Sequence, residues 1–265
     1  MTSNDASRKR ALLTGGTGAI GRAIAEGLVT RGFDLVLAVR SLEKGDTTAA
    51  AIERVTGRAP RVVRCELSLG ESIRALADTE QGPLHVLINN AAECPRQRRE
   101  TPEGVELQFA TNVLAYYRMM TAFTPHLTAA APSRIVNVAS YWAGGLDLGD
   151  LEFKKRRYDN DTAYRQSKQA DRMISSAFAE RLKDRGVAVN ACHPGDVRSR
   201  LSSDLGFGGH ESPAQGAATP LMLAVDDIGE KKTGGYFAHM REERCHFSTD
   251  RAAVGALFDI CGSYD

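Results

Sequence analysis

The sequence predicts an α/β fold in which one parallel sheet is covered by helices on both faces. Two observations predict it: short, continuous apolar runs recur along the chain, and segments of helical length separate them. Strands that are buried on both faces read as continuous rather than alternating apolar runs, and such strands form parallel sheets. The 265 residues, with 42% hydrophobic content, suffice for one large core. We therefore expect a single doubly wound α/β domain over residues 1–265.

About seven strands are predicted, at residues 11–13, 35–39, 61–65, 84–88, 134–138, 186–191 and 233–238. The clearest helix covers Ala19–Thr30, because Gly32 follows it as a stop signal. A second helical stripe covers residues 163–182. Ligands of doubly wound sheets bind at the carboxyl ends of the strands. The residues that follow five of these strands should therefore share one rim: Thr14, Arg40, Asn90, Ser140 and His193.

Charge and cysteine content argue against several classes of partner. Lys and Arg number 34 against 33 for Asp and Glu, so the net charge of +1 gives no reason to expect nucleic acid or a membrane surface. The first ten residues are polar, and no apolar run approaches the ~18 residues of a membrane span. Five scattered cysteines favour reduced thiols and no bound metal. We expect a soluble, cytoplasmic protein with no membrane partner, in which residues 1–9 are flexible.

A glycine-rich turn follows the first predicted strand directly. Gly16, Gly18 and Gly21 fit the G-x-G-x-x-G dinucleotide fingerprint in the strand–turn–helix context that it requires. Glycines let the backbone approach a pyrophosphate, and the N-terminus of the next helix offers N–H donors. A turn without a cofactor would be the alternative. The context favours a Rossmann-type dinucleotide site.

The end of the second strand indicates which dinucleotide binds. An NAD site places a carboxylate there to bond the ribose 2′-hydroxyl, but here Val39 is followed by Arg40 and Ser41. A guanidinium can pair with a 2′-phosphate. A solvated strand-end charge is the alternative interpretation, which the missing acid makes less attractive. The sequence therefore predicts NADP(H).

Of the seven tyrosines, only Tyr164 has a lysine four residues later, at Lys168. Residues at this spacing share a helix face. A nearby ammonium favours phenolate, so Lys168 and an oxidised nicotinamide together should lower the pKa of Tyr164 by ~3 units from about 10. Tyr164 then serves as a general acid/base while hydride moves, and Ser140 donates a hydrogen bond to the substrate oxygen. An ordinary surface Tyr–Lys pair is the alternative.

In this order and spacing, the motifs resemble the short-chain dehydrogenase/reductase family over nearly the whole chain. The motifs are Thr14-Gly-Gly-Thr-Gly-Ala-Ile-Gly21, Asn89-Asn90-Ala91-Ala92, Asn112, Ser140, Tyr164-x-x-x-Lys168 and Pro194-Gly195. The resemblance implies a catalytic tetrad of Asn112, Ser140, Tyr164 and Lys168, in which Asn112 holds a water that relays protons to Lys168. It also implies that Asn90 lies beside the cofactor's ribose, that the backbone at Pro194-Gly195 faces the nicotinamide, and that a homodimer forms through the helices of Asn112 and Tyr164.

Together, the motifs and the resemblance predict these cofactor-binding residues: Gly15, Thr17, Gly18, Ala19, Ile20, Gly21, Arg40, Ser41, Glu66, Leu67, Asn90, Ala91, Pro194, Gly195 and Val197. Within the family, the chain looks most like retinol dehydrogenases and protochlorophyllide reductases. There are departures. Ala19 replaces the middle glycine, which resembles the extended subgroup with its epimerases, and Glu66 stands where an aspartate contacts the adenine.

The leading hypothesis is an NADP(H)-dependent ketoreductase acting on a small-molecule substrate. The alternatives are reduction of a carbon–carbon double bond, an epimerase or dehydratase, and a non-catalytic dinucleotide sensor. Tyr141 and Trp142 should form an aromatic pocket wall, and residues 199–213, with Phe207 among glycines, should form a substrate lid. This favours a bulky, largely apolar substrate from natural product biosynthesis, unless Trp142 packs in the core. Cys94 is either reactive or a bystander.

Overall fold

The computed structural model describes residues 8–264, in which eight strands form one sheet. The strands are β1 (Arg10–Thr14), β2 (Asp34–Val39), β3 (Arg61–Arg64), β4 (Val86–Asn89), β5 (Ser133–Val138), β6 (Val187–His193), β7 (Tyr236–Ala238) and β8 (Arg241–Glu243). Each of the seven predicted strands is present, with ends shifted by up to three residues. Most of the segment predicted to be flexible, residues 1–7, lies outside the described residues.

Helices connect the strands and cover both faces of the sheet. They are α1 (Ala19–Thr30), α2 (Leu42–Thr56), α3 (Gly70–Thr79), α4 (Ala115–Ala129), α5 (Asn160–Leu182), α6 (Arg200–Asp204), α7 (Pro213–Val225), α8 (Asp227–Lys231) and α9 (Arg251–Gly262), with a π-helical turn at Phe109–Leu114 before α4. The predicted bounds of α1 are confirmed. Helix α5 begins three residues before the predicted start because the Asp159 side chain accepts a hydrogen bond from the Thr162 amide.

The strand order is β3-β2-β1-β4-β5-β6-β7-β8, with every pair parallel except β7–β8. The predicted α/β fold is confirmed. The order reverses between β1 and β4, which is the switch point where such sheets bind dinucleotides. Because the first seven strands run in parallel, their carboxyl ends meet at one edge. The predicted rim from Thr14 to His193 therefore exists.

The prediction of about seven strands omitted β8, which pairs antiparallel with β7. Its three residues, Arg-Glu-Glu, are all exposed. The two strands are joined through His239 and Met240, which both have positive φ angles, of 48° and 60°. A short, charged edge strand has no apolar pattern by which a sequence can reveal it.

Helix α5 is mostly buried, and α9 of the same chain packs against part of it. The rings of Phe178 and Phe258 lie 5.2 Å apart, and Arg251 Nη1 donates a hydrogen bond to Ser176 Oγ. Tyr117 of α4 also contacts Phe258, at 5.1 Å. A partner subunit that approached α4 and α5 from this face would therefore contact α9 first.

Candidate active site

The glycine turn is as tight as the dinucleotide fingerprint requires. A Cβ on Gly21 would lie 2.1 Å from the Gly15 carbonyl oxygen, and one on Gly15, where φ is +68°, would lie 2.7 Å from Ala91 Cα. No side chain of the described residues caps α1 at Gly18, which is exposed together with Thr17. The N–H groups of the first helical turn therefore stay available to a phosphate. This geometry fits the predicted dinucleotide.

Asn90 ties this turn to the neighbouring strand. Its Nδ2 donates hydrogen bonds to the carbonyls of Thr14 and Gly15, at 3.0 and 3.2 Å, and its own amide donates to Thr14 Oγ1 at 2.9 Å. The ends of β1 and β4 are thus held together at the switch point. A rigid rim of this kind keeps the turn in its binding conformation before a ligand arrives.

Arg40 stands at the end of β2, and no acid follows that strand directly, but a carboxylate from another loop reaches it. Arg40 Nη1 forms an ion pair with Glu93 Oε1 at 3.0 Å. Glu93 follows β4, and β2 and β4 lie on either side of β1. The sequence could not reveal this contact, because 53 residues separate the partners. The Glu93 carboxylate therefore competes with any phosphate for the Arg40 guanidinium.

The remaining residues predicted at the adenosine end have local roles in the protein. Ser41 Oγ caps α2 by accepting a hydrogen bond from the Lys44 amide at 3.4 Å. Glu66 Oε1 accepts two hydrogen bonds from Ser68, and Leu67 is buried. All three residues follow β2 or β3, on the predicted rim.

Ser140 and Tyr164 meet at the carboxyl end of β5. Tyr164 is 7% exposed, and Ser140 Oγ, which accepts a hydrogen bond from the Trp142 amide at 3.0 Å, lies beside it. Burial raises the pKa of Tyr164 above its ordinary value of 10, although the nearby Ser140 side chain acts in the opposite direction. The predicted lowering of this pKa is therefore not a property of the protein alone. A charge brought by a cofactor would have to supply it.

Lys168 lies deeper in the protein than the i, i+4 spacing indicated. It is 1% exposed, and its Nζ lies 5.8 Å from the centre of the Tyr164 ring and 5.1 Å from that of Tyr116. The ammonium donates hydrogen bonds to the Val138 carbonyl at 3.1 Å and to Asp171 Oδ2 at 2.8 Å. The alternative of an ordinary surface Tyr–Lys pair is wrong.

The sequence interpretation did not include Asp171, which is completely buried. Burial raises the pKa of its carboxyl from 3.8 to about 7, against the effect of Lys168. A signal was available, because Asp171 stands seven residues after Tyr164 and therefore on the same face of α5.

Asn112 is buried in the π-helical turn, a distortion that often marks functional sites. Its Oδ1 accepts a hydrogen bond from the Glu93 amide at 2.8 Å, and its Nδ2 donates to the Glu93 carbonyl at 3.0 Å and to Ser167 Oγ at 3.1 Å. The side chain thus fixes the backbone after β4 and one residue beside Lys168. The water relay implied by the family resemblance stays a prediction.

An open cleft lies above Tyr164 and Ser140. Trp142 and Phe207 line it as parallel rings, with 6.1 Å between their centroids and 5° between their planes. Trp142 is 41% exposed, so it does not pack in the core. Other lining residues include Ile20, Tyr141, Pro194, Gly195, Val197 and Leu201. The predicted aromatic wall is present, and residues of the predicted lid segment contribute to it.

The turn after β6 lies beside the same cleft. The Glu211 carboxylate accepts a hydrogen bond from the Asp196 amide, and a Cβ on Gly195, where φ is +104°, would lie 1.9 Å from Glu211 Oε2. Glycine is therefore needed at this position. His193 packs edge-on against Tyr141, with ring centroids 4.6 Å apart, but its Nδ1 has no hydrogen-bond partner among the described residues.

Cys94 is buried, and burial raises the pKa of its thiol to about 11. A thiol of this kind is mostly protonated at neutral pH, which favours the bystander role. Within residues 8–264, no group of three or more His, Cys, Asp or Glu side chains is arranged to hold a metal ion. The same part of the chain contains no helix that is both long and apolar enough to cross a membrane.

Comparison with known proteins agrees with this geometry. Residues 9–206 match the family model described as short chain dehydrogenase. Mouse retinol dehydrogenase 13 is 35% identical over 259 residues, covering 89% of this chain and 77% of the relative. Human retinol dehydrogenase 12 is 34% identical over 245 residues, covering 87% and 77%. A probable oxidoreductase of Streptomyces antibioticus is 31% identical over 263 residues, covering 91% and 88%.

Solved structures share the fold. An uncharacterized protein from Mycobacterium paratuberculosis superposes with a TM-score of 0.82 at 27% identity, covering 97% of this chain and 93% of the other. A short chain dehydrogenase from Escherichia coli CFT073, crystallised with NADPH, gives 0.72 at 24% identity, covering 88% and 97%. With the glycine turn, the Ser140–Tyr164 pair and the buried Lys168 in place, the chain belongs to the short chain dehydrogenase family and is similar within it to the retinol dehydrogenases.

Proposed function

We propose that this protein is an NADP(H)-dependent oxidoreductase that interconverts a carbonyl and an alcohol, with Tyr164 as the general acid/base. The observation that carries the proposal is the placement of Tyr164 and Ser140 together in an open, aromatic-lined cleft, beside the glycine turn. The curated relatives named retinol dehydrogenases support alcohol/carbonyl chemistry, and the NADPH bound to the Escherichia coli structure supports the cofactor.

Each residue has a physical task in this proposal. The glycine turn after β1 would hold the dinucleotide, whose nicotinamide would supply or accept the hydride when bound. The Tyr164 hydroxyl gives a proton to the carbonyl oxygen or takes one from the alcohol, and Ser140 holds the same oxygen by a hydrogen bond. Lys168 provides the positive charge that makes the phenol a better acid. Burial of Tyr164 and Lys168 keeps water from competing for these contacts.

We also propose a bulky, largely apolar substrate, such as a polycyclic natural product. Trp142, Phe207 and Tyr141 offer ring faces, and Ile20, Val197 and Leu201 add aliphatic surface. Clefts that are mostly apolar and have a few polar anchors suit such ligands. Residues 199–213 would act as a lid, because α6 and Phe207 close one side of the cleft.

The test is a screen of bulky ketones and alcohols with NADPH and NADP⁺, followed by variants on the first substrate found. Tyr164→Phe should retain the cofactor Kd but lose at least ~100-fold in kcat, the low end of general acid–base contributions. Lys168→Met should be comparably inactive. Val55→Ala, an exposed change on α2, is the control. Full activity of Tyr164→Phe would refute the role of the phenol. A product in which a carbon–carbon double bond, rather than the carbonyl, has been reduced would support the alternative reaction.

The cytoplasmic location and the homodimer stay predictions. Cell fractionation tests the first of them. Sedimentation of the purified chain tests the second, and a monomer would refute it. A dimer interface on the outer face of α5 would have to include α9, because α9 packs there.

A further inference from the structure

Helix α5 carries a buried carboxylate that is not part of the tetrad. Tyr164, Lys168 and Asp171 follow one another at intervals of four and three residues, so they lie on one face of the helix. Asp171 Oδ2 accepts the hydrogen bond from Lys168, whereas Asp171 Oδ1 is buried and has no hydrogen-bond partner among the described residues. A buried carboxylate with an unpaired oxygen costs stability. Packing alone therefore does not account for Asp171.

Uncharged groups from four other elements lie around Tyr164, Lys168 and Asp171: Tyr116 of α4, Cys192 of β6, Tyr236 of β7 and Cys94 of the loop after β4. Burial is the main cause that raises the pKa of each of them, so they are neutral at neutral pH. The next charge on α5, Arg172, stacks on the rings of Tyr236 and Phe247 instead. Lys168 and Asp171 are therefore the charged residues of α5 that are buried on the same face as Tyr164.

We propose that Asp171 is a positioning residue that offsets the charge of Lys168 and so sets the pH range in which Tyr164 exchanges its proton. This inference rests on the proposed role of Tyr164 as the general acid/base. An ammonium that stands alone stabilises a phenolate nearby, whereas an ammonium with a carboxylate 2.8 Å away acts at longer range as a dipole. Asp171 also acts on Tyr164 directly. Burial is the larger cause that raises the pKa of Tyr164, and the charge of Asp171 adds to it.

The pair thus has two charge states. With Asp171 ionised, Lys168 is compensated, and Tyr164 holds its proton more firmly. When Asp171 takes up a proton from solvent, the ammonium is uncompensated, and Tyr164 releases its proton more easily. In this arrangement a carboxylate that never touches the substrate controls the acid/base group through the lysine between them.

The variant Asp171→Asn separates charge from geometry, because its amide oxygen can still accept the hydrogen bond from Lys168. We expect the ionisation midpoint of Tyr164 to move to lower pH by about one unit, the low end of the effect of a charge at this range. Two measurements report it: the pH profile of kcat/KM for alcohol oxidation, and the phenolate absorbance of the NADP⁺ complex after subtraction of the matching Tyr164→Phe protein.

The matched control is Glu80→Gln. Glu80 is also a buried, ion-paired carboxylate, but it binds Arg10 and Arg61 at the opposite edge of the sheet. We expect this variant to lower the thermal unfolding midpoint and to leave both pH measurements unchanged. If Asp171→Asn yields little folded protein, Asp171→Ser removes the same charge and leaves room for water.

An unchanged midpoint in the Asp171 variant, or a shift to higher pH, overturns the proposal. The first result would make Asp171 purely structural, and the second would mean that its main effect is to keep Lys168 charged. The absorbance measurement needs no substrate, so it decides the role of Asp171 even if the proposed reaction is wrong. Conversely, full activity of Tyr164→Phe would refute the proposed function without any Asp171 variant.

Discussion

Arg40 Nη1 lies 3.0 Å from Glu93 Oε1, and this ion pair joins the ends of two strands that flank β1 without touching each other. The bond therefore passes over the carboxyl end of β1, where the glycine turn begins. A 2′-phosphate that binds Arg40 must share the guanidinium with Glu93 or displace it.

We expect Arg40→Ala to weaken NADPH binding about tenfold and NADH binding much less, because a charged hydrogen bond to the 2′-phosphate is lost. Glu93→Gln should tighten NADPH binding by up to about fivefold, since an exposed ion pair contributes up to ~1 kcal/mol. Titration calorimetry with both cofactors measures these constants. Arg31→Ala, an exposed change at the far end of α1, controls for charge. Equal affinities of the wild type for NADPH and NADH would contradict the assignment.

Gly21→Ala should abolish dinucleotide binding and lower the free energy of unfolding by more than ~1 kcal/mol. The added Cβ would lie 2.1 Å from the Gly15 carbonyl oxygen, so the turn must open. Gly255→Ala is the matched control, because a Cβ there, on helix α9, meets no atom of the described residues within 4 Å. It should stabilise the protein slightly through helix propensity. Thermal unfolding and cofactor titration compare the stability and the cofactor affinity of the two variants. If both variants kept the same stability and affinity, the glycine turn would not be rigid.

The features that the sequence could predict depend on local patterns. The strands are continuous apolar runs, and Tyr164 and Lys168 share a face through helix periodicity alone. Asp171 belongs with them for the same reason. It was predictable, but a lone acid in an apolar helical stripe is easily taken for an exposed residue.

Other features depend on how distant loops meet. Glu93 reaches Arg40 only because the loop after β4 returns over β1, and Trp142 meets Phe207 across a cleft between two irregular segments. No spacing in the sequence encodes either contact. The direction in which the pKa of Tyr164 shifts could not be predicted from the sequence either, because it depends on how deeply the phenol is buried.

Trp142→Ala and Phe207→Ala should each raise KM for a bulky ketone more than for a small one. The two rings lie parallel at the cleft with their centroids 6.1 Å apart, so a large apolar substrate loses contact area with either change. Steady-state kinetics on one bulky and one small substrate, with Val55→Ala as an exposed apolar control, would measure the difference. The same increase for both substrates would leave the proposed aromatic wall without a role in substrate choice.

His193 should make the protein less stable in mild acid. Burial, the charge of His239 and that of Arg172 together lower the pKa of the His193 imidazole from 6.5 to about 4. Between these two values the unfolded chain binds a proton that the folded protein does not, so the free energy of unfolding falls as pH decreases through this window. The stability contributed by the neutral ring is fully present above pH 6.5. Over the full window, the loss amounts to about 3 kcal/mol.

The variant His193→Gln removes this titration while keeping a polar side chain. We expect the free energy of unfolding, measured with urea, to fall more between pH 6.5 and pH 4 for the wild type than for the variant. His210→Gln is the control, because the side chain of His210 is 90% exposed and lies outside the aromatic contacts of His193. It should reproduce the wild-type dependence. If wild type and His193→Gln lose the same stability on acidification, His193 is not held neutral by its burial, and its contact with Tyr141 has no bearing on the acid response.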